Sequence, residues 1–178
     1  MYTVQRGTTL VEQLAVMSII GICASLALPG LQGLVADAKR TATVNELLVA
    51  VQLARSEAIK RRQPIALCPS KDAASCSGKL ADWSRGWIVF VNQDEDAPPV
   101  ADPGEPLLLQ GGPAKGGQTL VVNRAAFAFK PFGMRSTNGS FVVCDARGGA
   151  AARAVVVSPI GRPRVTKAAS DGEPLDCG

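Results

Sequence analysis

Residues 8–28, TTLVEQLAVMSIIGICASLAL, form one apolar run whose single charged residue is Glu12. About 20 such residues cross the ~30 Å hydrocarbon core of a bilayer as a helix, so this segment is expected to anchor the chain in a membrane. Its layout is not that of an ordinary secretory signal, in which a small-residue cleavage site follows the apolar region. Here Gly7 stands ahead of the run, Arg6 is the base that precedes it, and a carboxylate sits inside it. Arg6 favours a cytoplasmic N-terminus. A carboxylate near the start of a membrane helix is costly and needs a reason. One solution leaves Glu12 at the water interface. The other pairs it with a charged N-terminal amine on a neighbouring chain, an amine that cleavage after Gly7 would create on Thr8.

Pro29, Gly30 and Gly33 come next and are expected to kink or loosen the helix. From Leu34 to about Arg62 helical spacing resumes. Val44, Leu47, Leu48, Val51, Ala54 and Ala58 recur at intervals of three and four and make one apolar stripe. Glu57 and Arg61 form an i,i+4 pair on the wet side, and Gln63-Pro64 ends the run. A helix from Thr8 to Arg62 would be about 80 Å long at 1.5 Å per residue. After Pro64 the pattern changes to short strands and turns. Strands are expected at 64–69, 83–92, 105–110, 118–123, 126–131, 139–145 and 153–159. The acidic, proline-bearing stretch Asp94–Gly104 and the segment Gly111–Gly117 read as loops. The expected fold class is α+β, with the amphipathic half of a long N-terminal helix packed on an antiparallel β domain. With aromatics at 4%, the core must rely on Val, Leu, Ile and Ala, and Trp83 and Trp87 are expected to be packing groups.

The chain contains no histidine, which removes Ser-His-Asp and Cys-His catalysis and most zinc sites. It is read as a non-enzyme that needs no cofactor and no metal. Asp94 and Asp96 are candidates for a cation such as calcium, but their loop lacks the spaced pattern of a calcium hand and reads as an acidic surface. Of five cysteines, Cys23 lies in the apolar run. Cys68, Cys76, Cys144 and Cys177 form an even set, for which three connectivities exist. Proximity favours Cys68 with Cys76 and Cys144 with Cys177. Disulfides place the domain in an oxidising compartment, here the periplasm. Charge segregates along the chain. Asp82–Glu105 holds six acids against Arg85, and residues 121–170 hold eight bases against Asp145.

The segment Gly7-Thr8-Thr9-Leu10-Val11-Glu12, followed by its apolar run and Pro29, resembles the class III signal of type IV pilins and type II secretion pseudopilins. The resemblance implies that prepilin peptidase cuts after Gly7 and methylates Thr8, and that Glu12 acts in assembly. Thr8 stands where Phe is typical. The resemblance also implies a layout of leader peptide (1–7), transmembrane and filament-core helix (8–28), amphipathic continuation (29–62) and β-rich domain (63–178). It implies a single-pass inner-membrane protein with its C-terminal domain in the periplasm, later incorporated into a pilus that can reach the cell surface. Its partners would be other major and minor pilins, prepilin peptidase and the inner-membrane assembly platform. Within the domain, Trp83-Ser84-Arg85-Gly86-Trp87 leading to Asn92-Gln93-Asp94, Phe129 to Gly133, and Val142 to Asp145 resemble the GspH/FimT group of minor pilins and pseudopilins.

Gly161-Arg162-Pro163-Arg164 directly follows the last expected strand. Gly161 and Pro163 are expected to hold a turn from which two guanidinium groups project. Such forks suit phosphate oxygens and would contact a nucleic-acid backbone without reading its sequence. Lys167 lies close by, and Arg153, Lys130 and Arg135 are weaker candidates. A Gly-Arg-x-Arg in this position resembles the DNA-binding minor pilins of the FimT type, which implies binding of double-stranded DNA and a part in natural transformation. The competing expectation is a minor pilin or secretion pseudopilin that acts only in filament initiation and assembly.

Overall fold

The computed structural model of the chain describes residues 9–78, 82–131, 134–169 and 172–178, with side chains there except those of residues 26–29. The chain divides into two compact units, residues 1–38 and Lys39–Gly178. Helix α1, Leu10–Arg61, contributes to both.

In the first unit, Thr9 caps the start of α1. Its Oγ1 accepts the Glu12 N–H at 3.3 Å, and its carbonyl accepts the Gln13 N–H at 3.1 Å. Thr9-x-x-Glu12 is therefore a helix-start signature, and the acid in the first turn also suits the helix dipole. Leu10, Val11, Leu14, Met17, Ile19, Ile20 and Ile22 all point outward and exposed. This segment is apolar all round and buries none of these side chains within its own chain. No single helix among the described residues is long and apolar enough to cross a membrane, whereas Leu10–Ser25 and Gly30–Arg61 taken as a pair have the length and composition to do so. Gly7 and Thr8 lie outside the described residues.

In the second unit, eight strands form two four-stranded antiparallel sheets. They are β1 (Ile65–Pro69), β2 (Trp87–Val91), β3 (Leu107–Gly111), β4 (Thr119–Val122), β5 (Phe127–Phe129), β6 (Gly139–Cys144), β7 (Arg153–Val157) and β8 (Pro163–Thr166). One sheet has the order β3-β2-β1-β5, the other β4-β6-β7-β8. Alternation along each strand separates two faces. The inner faces present Ile65, Leu67, Val89, Val91, Phe127, Phe129, Phe141, Val143, Val155 and Val157. These converge on the helix stripe of Val44, Leu47, Ala50, Val51, Ala54 and Ala58. Leu48 sits half-buried at the margin of that stripe, and Ala50 takes the place beside Val51.

The outer faces are also covered. Ala66, Cys68, Ile88 and Phe90 lie under the loop that carries Ala73 and Cys76. Val142, Cys144, Ala152 and Ala154 lie under the C-terminal tail at Leu175 and Cys177. A disulfide fastens each cover to its sheet, Cys68 to Cys76 and Cys144 to Cys177.

Two segments differ from the expectation. Trp83–Arg85 is a turn of 3₁₀-helix and not the start of β2. Asp82 caps it by accepting the Ser84 N–H at 2.8 Å. Gly86 then passes so close to its surroundings that an added Cβ would lie 2.9 Å from the carbonyl oxygens of Gly111 and Ser70. This places Trp83 edge-on to Phe141 and Phe127, at ring-centre distances of 5.2 and 6.0 Å. Its indole N–H donates to Arg124 O at 3.2 Å. Both Trp83 and Trp87 are buried packing groups. The second difference is β8, which occupies residues read as a turn.

Candidate functional site

Pro163 and Arg164 pair with Val157 and Val156 as part of β8, so the turn lies one step earlier than expected. The β7–β8 connection is closed by the Gly161 N–H donating to Ser158 O at 2.8 Å and the Ser158 N–H donating to Arg162 O at 3.0 Å. Gly161 has φ +73°, the left-handed position that ends a three-residue hairpin loop. It is also buried: an added Cβ would lie 3.3 Å from Phe129 and 3.4 Å from Arg55 and Ser136. Arg55 of α1 donates to Ile160 O at 3.1 Å, and the Ser136 N–H donates to Pro159 O at 2.9 Å. Gly161 therefore seats the hairpin on the helix and on the segment after β5.

Strand alternation puts Arg162 and Arg164 on one side, about 7 Å apart along the chain. Both are exposed, and neither guanidinium has a hydrogen bond or ion pair with a described residue. Arg164 shares its face with Val156, Ala154 and Val142. There it lines a cleft of about 730 Å³ whose other walls include Ser140, Thr166, Leu175 and Asp176. Asp176 sets one carboxylate against Arg164 at this cleft.

Of the other basic candidates, Arg135 and Lys130 border this loop, since the Ser136 N–H donates to Pro159 O at 2.9 Å and the Ser136 hydroxyl accepts the Lys130 N–H at 3.1 Å, whereas Arg153 and Lys167 lie at the far end of the hairpin. Arg153 sits at the far end of β7, opposite Val143 of the inner face. Its guanidinium donates to Ala152 O at 2.7 Å and Ala151 O at 3.1 Å. Lys167 is exposed just past the end of β8, at the Arg153 end of the hairpin. Arg124 is committed to Asn138 O at 2.8 Å. Arg147 grips Asp145 through two side-chain bonds, at 3.0 and 2.6 Å. The Arg147 bonds, with Arg40 of α1 at 3.5 Å, hold the half-buried Asp145 carboxyl at about 2, below the usual range, against the opposing effect of burial. Arg40 and Asp145 lie 105 positions apart, so this long-range ion pair has no sequence signal. Arg55, one of the neighbours of Gly161, is equally remote in sequence.

The family profile described as "Type II transport protein GspH" matches residues 43–161, about two thirds of the chain. The chain belongs to the GspH family. The matched region of this GspH-family chain begins in the second half of α1, takes in β1 to β7 and ends at Gly161. Arg162, Arg164 and Lys167 thus stand beyond it. Two crystal structures of the type IV minor pilin FimU from Pseudomonas aeruginosa, in space groups P21 and P65, share the fold. Each is 21% identical with a TM-score of 0.56. The first comparison covers 79% of this chain and 96% of FimU, the second 78% and 99%. Among curated proteins none matches the sequence significantly.

Proposed function

We propose that this GspH-family chain is a minor subunit of a type IV pilus or a secretion pseudopilus. Residues 8–28 hold it in the bacterial inner membrane and, after cleavage behind Gly7, form part of the filament core, while the β domain stays periplasmic. The observation that carries this is the exposed apolar surface of α1 from Leu10 to Ile22. Side chains of this kind are stable only against lipid or other apolar helices. Glu12, the one charge in the run, would then pair with a neighbour's N-terminal amine and fix its register. The test is Glu12→Val in the native host, with immunoblots of sheared filaments and of membranes. The chain is expected to remain in the membrane and to fall at least about tenfold in the filament fraction, a loss of ~1.4 kcal/mol or more of assembly free energy. Unchanged incorporation would contradict the role of Glu12.

A second reading, the FimT-like one, is favoured by Arg162 and Arg164, exposed on one side of β8 and without a protein partner among the described residues. Phosphates of double-stranded DNA fit two such forks. In mobility-shift titrations across a salt series, full-length protein in detergent should bind DNA with a slope set by the phosphates it neutralises. The Arg162→Gln/Arg164→Gln double variant should reduce that slope by about 2. A folded double variant with unaltered affinity and slope would assign the arginines no part in binding. Absence of DNA binding by the wild type at low salt would leave assembly as the whole function.

A further inference from the structure

The loop between β2 and β3 carries five carboxylates, Asp94, Glu95, Asp96, Asp102 and Glu105, and no lysine or arginine occurs between Arg85 and Lys115. Ordinary surface repulsion would spread such groups apart. Instead the loop is folded back on itself. Glu105 joins its two ends, accepting the Gln93 N–H at 2.6 Å and the Asp102 N–H at 3.1 Å. Asp96 accepts the Val100 N–H at 2.8 Å. The result brings one oxygen each of Asp94, Asp96 and Asp102 within 4.8 Å of one another. Oxygens that share one calcium ion at 2.3–2.6 Å lie within about 5 Å of each other.

A second observation is independent of that clustering. Asn92, at the base of the loop, is only 2% exposed. Its Nδ2 donates to Asp96 O at 3.1 Å, which directs the carboxamide into the loop and fixes which of its atoms is the acceptor. Its Oδ1 is buried and has no donor, and Asp96 Oδ1 is likewise buried with no donor. A buried acceptor without a donor is costly, and a cation held in the loop would supply the partner that each of these two oxygens lacks. The protein supplies none, since none of the three aspartates is ion-paired to a described residue.

We infer that Asp94, Asp96 and Asp102, with the Asn92 carboxamide oxygen, form a binding site for a divalent cation, and that the cation is calcium. The donors are all hard oxygens, three of them charged, and they stand on a loop able to adapt to a larger ion of irregular coordination. Magnesium demands near-octahedral geometry and gives up its water reluctantly, so this loop discriminates against it. An open site of this kind falls in the affinity class of extracellular modules, about 0.1–1 mM. Bound calcium would lock the β2–β3 loop over the outer face of its sheet, where Ala101 packs against the cluster of Ala66, Cys68, Ile88 and Phe90. The inference is independent of whether the chain binds DNA.

The test is calcium chloride titrated into full-length protein in detergent, followed by calorimetry and by thermal melting, with magnesium chloride as the comparison. The wild type should take up one calcium per chain and gain about 3 °C in Tm at ten times Kd. Asp94→Asn and Asp102→Asn, both at exposed positions, should each weaken calcium binding at least about tenfold without lowering Tm in the absence of calcium. Asn92→Asp probes the buried donor: adding a charge should tighten calcium binding if the oxygen is a ligand. No saturable uptake up to about 10 mM calcium, or uptake unchanged in the Asp94 and Asp102 variants, would overturn the site. Equal uptake of magnesium would overturn its assignment to calcium.

Discussion

Asp145 shows how one residue ties the outer end of β6 to the helix. It accepts from Arg147, both through the side chain and through the Arg147 N–H at 3.0 Å, and faces Arg40 from α1. A carboxyl that ionises near 2 in the fold and near 3.9 in the unfolded chain binds more protons when unfolded. Its stabilisation is therefore complete above about pH 4 and is lost as pH falls from about 4 towards 2. Asp72 acts in the same direction. Its carboxyl is held low by the Ser75 hydroxyl first, then by the Ala74 and Ser75 N–H groups and the Ser70 hydroxyl. Thermal melts between pH 5 and pH 2 should show a steep fall in Tm for the wild type and a shallower one for Asp145→Asn, in which Asp72 and Glu57 still contribute. Equal slopes would mean that Asp145 gains nothing from Arg147 and Arg40.

At the scale of elements, the two disulfides do similar work over different spans. Cys68–Cys76 closes 8 positions and Cys144–Cys177 closes 33. Loop-closure entropy then gives about 2.5 kcal/mol for the first and about 3.7 kcal/mol for the second. The paired alanine variants, unfolded in denaturant, should lose stability in that order, and the reverse order would show that the C-terminal tail is not what the second bridge restrains.

Much of this layer is legible in the sequence. Helical spacing locates the α1 stripe, and alternating Val, Ile and Phe locate β2, β6 and β7. What escapes is whatever depends on remote partners. Pro163-Arg164-Val165-Thr166 has a proline and two exposed outward residues, and becomes a strand because β7 offers it a free edge, where the missing proline N–H costs little. Trp83–Arg85 looks like strand and becomes a 3₁₀ turn because Asp82 caps it. The division into two sheets rests on pairings such as Leu67 with Phe127, sixty positions apart, which no local pattern encodes. In the candidate sites the arginines and the acidic loop are visible as charge runs. Gly161 as a seat for the hairpin and Asn92 as a buried oxygen donor are not, because each takes its meaning from contacts made only in the fold.

At the scale of the whole molecule, two units follow different solvents. Lys39–Gly178 has its own core, with both sheets covered on both faces. The helical segment before it exposes Leu, Ile, Val and Met on every side and depends on lipid or on other helices for burial. A minor pilin or pseudopilin meets both demands in turn, first as an anchored precursor and then as part of a filament. The measurement that tests this most directly is mass spectrometry of the intact chain recovered from sheared filaments of the native host. A filament-borne chain that begins at Thr8, with a methylated amine, is the predicted result. A chain that begins at Met1 and is found only in the membrane fraction would contradict the account.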